Sequence, residues 1–287
     1  MSPLNPSPSR LDAAWFRSSS HAGPARQSAD RWLRRAATAW WAVALLGQGL
    51  FAAYVLAFYG GAAWRGDLPA WRQVLSHGHV AGDPLGNAVL ALHLAFTVLI
   101  VASGLLQLLP PLRRHLPALH RWNGRLYLLA AALLSLGGLV MMWTRGTVGD
   151  LSQHLGTSFN ALLILACAVL AWRAARARQF EAHRRWALRL VLAVSGVWFF
   201  RILLMGWLVA HQGPVGFDPV SFRGPVLTAF AWAQALLPIA VLELTLRVQA
   251  GGSVTARRAM AGVLAVLTLL TAGGVAAATA VLWWPRF

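Results

Sequence analysis

Seven apolar runs, each about 20 residues or longer, constrain what this chain can fold into more than any motif does. They lie at Ala37–Gly60, Gly86–Leu109, Asn123–Trp143, His154–Trp172, Trp186–His211, Pro225–Leu246 and Met260–Trp284. As a helix, a run of that length crosses roughly 30 Å of hydrocarbon. The runs carry helix formers and glycine at helical spacing, not the alternation of an outer-membrane strand. Only 11% of the residues are charged, against about 25% in an ordinary soluble domain, so the apolar surface must face lipid. The expected fold class is all-α, an integral membrane helical bundle of about seven transmembrane helices.

The basic residues are all arginine and give a formal charge of +17. They sit in short loops between apolar runs, which points to topology and contact with anionic lipid and not to nucleic acid. Arg31, Arg34 and Arg35 precede the first span, and Arg113, Arg114 and Arg121 separate the second from the third. Arg173, Arg176, Arg178, Arg184 and Arg185 follow the fourth, and Arg257 and Arg258 precede the seventh. The alternate loops, 61–85, 144–153 and 212–224, hold few arginines and carry Asp67, Asp83, Asp150 and Asp218. This alternation places the N-terminus in the cytoplasm and the C-terminus in the periplasm. Trp64, Trp122, Trp143, Trp172, Trp186, Trp207, Trp283 and Trp284 fall near the expected interfaces.

Residues 1–36, rich in Ser, Pro, Ala and Arg, read as a disordered cytoplasmic tail, and residues 37–287 as the bundle. The first apolar run starts too late and is too long for a signal peptide. Cys167 stands alone in an apolar run, which excludes an intrachain disulfide. No Walker loop, dinucleotide fingerprint or C-x-x-C pair occurs. Any chemistry must take place in the bundle or at its two surfaces.

Four histidines occupy four consecutive spans or their edges. His93 and His154 lie toward the outer side, on spans two and four; His120 and His183 lie at the inner side, before spans three and five. Two neutral imidazoles from facing helices at one depth are what a bis-histidine haem requires. From His93, helical steps pass Thr97, Ile100, Gly104 and Gln107; from His154, Ser158, Ala161, Leu165 and Ala168; from His120, Gly124, Tyr127, Ala131 and Gly138. Small residues on these faces suit a flat cofactor or plain helix packing. A histidine beside Arg121 or Arg184 equally suits a headgroup phosphate.

Arg201 is a charge inside the fifth span. It lies 18 residues after His183, five turns at about 3.6 residues per turn, which predicts a shared face. No acidic residue lies at its depth, and Glu243 is near the other end of the sixth span. A bound carboxylate, such as a haem propionate or an anionic substrate, would satisfy it; snorkelling to the interface is the plain alternative. His77 and His79, with Asp83, suggest a metal-binding loop, although exposed loop histidines mostly have no such role.

The segments Leu119-His120-Arg121-Trp122-Asn123-Gly124-Arg125-Leu126-Tyr127 and His183-Arg184-Arg185-Trp186, with Phe200-Arg201, His93 and Gly104-Leu105-Leu106-Gln107, form a recognisable set. Over roughly residues 90–205 they resemble a bacterial family of predicted membrane proteins, domain of unknown function 2306, whose name supplies no activity. In helix order alone, the chain is also similar to di-haem membrane proteins of the cytochrome b-561 type. That similarity implies haem between helices two and four and between three and five.

The expected function is therefore a transmembrane b-type cytochrome-like electron-transfer protein of the bacterial inner membrane, holding up to two haem b groups. His93, His154, His120 and His183 would ligate iron, and Arg125, Arg189 and Arg201 would pair with propionates. Expected partners are the lipid bilayer and a quinol or a small redox partner, with no nucleic acid. The alternative expectation is a non-enzymatic membrane carrier or lipid-binding accessory protein with an anion site at Arg201. A third is a metal-dependent membrane enzyme on His77, His79, His93 and Asp83.

Overall fold

Polar side chains placed at the ends of apolar runs begin several of the helices. The Asp83 carboxylate accepts from the Gly86 N–H at 2.9 Å, Asp150 from the Gln153 N–H at 2.9 Å, and the Ser253 hydroxyl from the Ala256 N–H at 3.1 Å. Each satisfies a donor that the first helical turn leaves unpaired. The computed structural model describes residues 23–75 and 77–287. Its long helices are α1 (Pro24–Val55), α2 (Pro84–Leu108), α3 (Pro117–Thr144) and α4 (Leu151–Arg176). They continue with α5 (Phe180–Val194), α6 (Gly196–His211), α7 (Pro225–Gly251) and α8 (Val254–Ala278).

Six of the helical segments are long and apolar enough to cross a membrane, and α5 with α6 forms a bent pair that brings the total to seven. The chain is a multi-pass membrane protein. Its helices run between two ends of unlike charge. Arg113, Arg114, Arg173, Arg176 and Arg258 gather at the arginine-rich end, and the turns after α1, α3 and α6 form the arginine-poor end.

Two departures from the sequence expectation have local causes. First, α1 begins at Pro24, well before Ala37. Its first turns are anchored: Ala29 and Leu33 are buried, Leu33 packs with Met260, Ala261 and Leu264 of α8, and Asp30 pairs with the buried Arg257. The part of the expected tail that precedes Gly23 lies outside the described residues. Second, the fifth span is bent by 46° between α5 and α6. The break falls at Ser195-Gly196, a pair typical of sharp kinks. Asn160 on α4 donates to the Ala193 carbonyl at 3.1 Å, and Gln48 on α1 donates to the Ser195 hydroxyl at 3.0 Å. Counting turns from His183 to Arg201 therefore fails, because the two residues stand on helices with different axes.

Without water inside the bilayer, helices associate through close packing and interhelical hydrogen bonds. The seam between α1 and α8 shows both. A Cβ at Gly47 would stand 2.5 Å from Val275 Cγ2, and the Trp40 indole donates to Thr271 Oγ1 at 3.2 Å. Next to this seam on α8, a Cβ at Gly274 would meet the Ile202 carbonyl at 2.8 Å, so α6 is also seated tightly. One aromatic-rich core joins α1, α6 and α8 with part of α2. A second, built from Ile100, Tyr127, Ala131, Ile164, Cys167 and Val191, joins α2 to α5.

Candidate functional site

The motif around His120 first of all builds a helix seam. Asn123 is buried and clasps Ser103 of α2: Ser103 Oγ donates to Asn123 Oδ1 at 2.9 Å, and Asn123 Nδ2 donates to the Ser103 carbonyl at 2.9 Å. Gly124 leaves room for Gln107, whose amide donates to the His120 carbonyl at 2.9 Å. Tyr127 packs against Gly104, where a Cβ would stand 3.1 Å from its ring. The small-residue faces of α2 and α3 thus mate with one another, and the result is a fixed position for His120 at the arginine-rich end.

His183 lies at the same end, near enough for its charge to act on His120. Its Nδ1 is 2.9 Å from the Ala171 carbonyl. A carbonyl only accepts, so Nδ1 carries the proton, and in the neutral ring Nε2 keeps its lone pair free. His120 Nδ1 is buried without a hydrogen-bond partner among the described residues. Imidazole, from α3 and α5 here, is a side chain that ligates metal, and the ring of His183 is oriented by a backbone carbonyl as ligating histidines are.

The other pair is arranged differently. His154 Nε2 shares a 2.9 Å hydrogen bond with Thr147 Oγ1, and its ring stands edge-on to Trp143 at 6.0 Å. His93 lies instead against the glycine pair of α3. A Cβ at Gly138 would be 3.6 Å from its Cε1, and one at Gly137 would be 4.0 Å from its Nδ1, which is buried and has no partner among the described residues. The charged group that acts on His93 is Arg201.

Of the three arginines expected to meet propionates, two are already engaged. Arg189 forms a 2.7 Å ion pair with Glu243 and stacks over Trp186 at 4.6 Å. Arg125 lies 4.5 Å over the Trp122 ring. Arg201 lies 5.3 Å over Phe51 and reaches only the Val197 carbonyl of its own helix, at 3.4 Å. Among the described residues it makes no ion pair; those found are Arg145–Asp83, Arg185–Glu181, Arg189–Glu243 and Arg257–Asp30.

No group of three His, Cys, Asp or Glu side chains gathers among the described residues. Asp83, assigned in sequence to a loop metal site with His77 and His79, caps α2 and pairs with Arg145 at 3.1 Å.

Sequence reasoning missed the company that Arg201 keeps. Tyr54 and Tyr59 of the first span and Arg286, just beyond α8, share its surroundings. The Tyr54 hydroxyl, the Tyr59 hydroxyl, Trp283 Nε1 and Arg286 Nε are all buried with no hydrogen-bond partner among the described residues. Tyr59 and Trp283 each sit in a π-helical turn, Leu56–Gly60 and Thr279–Trp283, and such turns concentrate at functional sites.

Residues 90–217 match the model of a family described as Predicted membrane protein (DUF2306). The match runs from α2 through α6 and leaves α1, α7 and α8 outside it. Neither a curated protein nor a solved structure matches the chain.

Proposed function

Taking as premise a multi-pass membrane protein that carries this family's segment, we propose that it is a b-type haem protein of the bacterial inner membrane that transfers electrons. The single observation that carries the reading is the nearness of His183 to His120 at the arginine-rich end, with Nδ1–H of His183 held by the Ala171 carbonyl. That hydrogen bond fixes the ring and raises the basicity of Nε2, as the outer partners of metal-ligating histidines do. Haem bound there would supply a one-electron redox centre, with its potential set by the two imidazoles and by burial.

The chain's own residues would orient and neutralise. Gln107 and the Ser103–Asn123 clasp hold the α3 backbone at His120, and Arg113 and Arg121 bring positive charge beside it. Propionates would find their partners among these, since Glu243 already neutralises Arg189. A second haem between His93 and His154 belongs to the same proposal; there His154 would ligate through Nδ1 with Nε2 kept on Thr147, or through Nε2 after releasing it. A quinol or small redox protein would exchange electrons at either face.

The test is a dithionite-reduced minus oxidised absorption spectrum of the full chain, purified in mild detergent from haem-replete cells. A sharp reduced α-band that disappears in His120→Ala and His183→Ala supports the reading. A flat spectrum, or a band that both variants retain, overturns it.

A further inference from the structure

Around Arg201, hydrogen-bond donors and positive charge gather, and among the described residues no carboxylate pairs with Arg201 or Arg286. Two guanidinium groups, Arg201 and Arg286, come from α6 and from beyond the end of α8. Arg286 gives one donor to the Leu282 carbonyl at 2.8 Å, but its Nε is left over. Tyr54 and Tyr59 are only 1% and 3% exposed. Their hydroxyls lie beside each other, and neither has a hydrogen bond of good geometry. Should one turn to accept from the other, one O–H still remains to donate. Trp283 adds a fully buried indole N–H.

A buried donor without a partner is costly, and an unpaired charge within a span costs more. Several of them at one place, drawn from α1, α6 and the end of α8, do not arise from packing alone. What is missing is an acceptor that carries negative charge. Acidic side chains are turned elsewhere: Asp67 is exposed in the turn after the first span, Asp218 accepts from Val220 and Ser221, Glu181 pairs with Arg185, Asp83 with Arg145, and Glu243 with Arg189. The surrounding walls are aromatic: Phe51 lies under Arg201, Phe58 stacks on Tyr54 at 5.8 Å, and Trp71 packs edge-on to Tyr59 at 6.2 Å.

We propose that Arg201, Arg286, Tyr54 and Tyr59 form a binding site for an oxyanion, a phosphate or carboxylate group, at the arginine-poor end of the bundle. Guanidinium groups match planar and tetrahedral oxyanions through paired N–H donors, and phenol hydroxyls complete the shell. The π-turns at Leu56–Gly60 and Thr279–Trp283 set Tyr59 and Trp283 into the site, so the first and last helices, which lie outside the family segment, gain a role as its walls. The site uses neither His120 nor His183, and it stands whether or not haem is bound between them.

The same oxyanion chemistry could come from a free phosphate or from the headgroup of an anionic lipid, and the experiment separates the two. The delipidated full chain in detergent is titrated with inorganic phosphate, read as a shift in thermal midpoint. Separately, it is titrated with dioleoyl phosphatidic acid, read by native mass spectrometry, with dioleoylglycerol as the uncharged control. Saturable binding of either probe, weakened about tenfold or more by Arg201→Gln and also by Arg286→Gln but not by the exposed Arg65→Gln, supports the site. Binding of phosphate assigns a free ligand, and binding of phosphatidic acid alone assigns a lipid. Tyr54→Phe and Tyr59→Phe change no volume to speak of and give an independent check in variants that fold. If neither probe binds, or if Arg201→Gln leaves binding unchanged, the proposal is overturned. Haem content measured on the same samples tells this failure apart from failure of the haem reading.

Discussion

Ser103 and Asn123 hold each other through two hydrogen bonds of 2.9 Å, one between side chains and one from the Asn123 amide to the Ser103 backbone. An asparagine with donor and acceptor both occupied by one serine fixes rotation and register between α2 and α3 together. Asn123→Ala removes both bonds and is expected to cost about 1–2 kcal/mol, within the range measured for interhelical hydrogen bonds in membranes. The readout is the denaturation midpoint of the purified protein in mixed micelles. Asn123→Ala should also loosen whatever binds at His120, three residues earlier, whereas Asn123→Asp should recover part of the loss through Ser103 Oγ.

The kink between α5 and α6 offers a coupled pair. A Cβ on Gly196 would stand 2.6 Å from Asn160 Nδ2, the atom that donates to the Ala193 carbonyl. Gly196→Ala must push Asn160 aside, with a cost of about 1–3 kcal/mol for overpacking and the lost bond. In an Asn160→Ala background the clash disappears, so the same substitution should cost much less. A double-mutant cycle measured by thermal unfolding detects this coupling. Additive effects would show that the two residues do not meet.

The loop between α6 and α7 predicts a response to acid. The Ser221 hydroxyl, the Ser221 N–H at 2.9 Å and the Val220 N–H at 3.2 Å all donate to the Asp218 carboxylate and hold it below the usual carboxylate range. A carboxyl depressed in the folded loop stabilises it fully above the unfolded value of about 3.9, and the contribution fades as pH falls through the lower folded value. Limited proteolysis of residues 212–224 should therefore be unchanged from neutral pH to about pH 4 and increase below it. Asp218→Asn should be cleaved faster at neutral pH, with little further change in acid.

The membrane-spanning architecture was legible because bilayer thickness imposes a length, and seven apolar runs meet it. Only α1 was drawn markedly short, since Arg31, Arg34 and Arg35 resemble a tail until Leu33 and Asp30 are seen packed against α8. The bend in the fifth span was written in Ser195-Gly196, but the hydrophobic run continues through it and conceals the change of axis. Among the histidines, the sequence brought His120 and His183 to one end because helix order alone decides that. It could not show that His154 turns to Thr147 or that His93 sits on Gly137 and Gly138, since rotation about each helix depends on packing. The surroundings of Arg201 were out of reach for another reason. Tyr54, Tyr59 and Arg286 lie on the outermost spans of the sequence, and no periodicity links them.

The seam between α1 and α8 also sets an order of assembly. Trp40 and Thr271 touch across 231 positions of chain. As the polypeptide enters the membrane, α1 arrives well before α8 and must keep the face bearing Gly47 and Tyr54 turned to lipid or to provisional neighbours. The middle helices, α2 to α6, can settle among themselves in the meantime. Only when α8 emerges do Val275, Trp283 and Arg286 cover that face. The walls around Arg201 are thus completed last, and a nascent chain halted before α8 would hold its histidine pair while still lacking them.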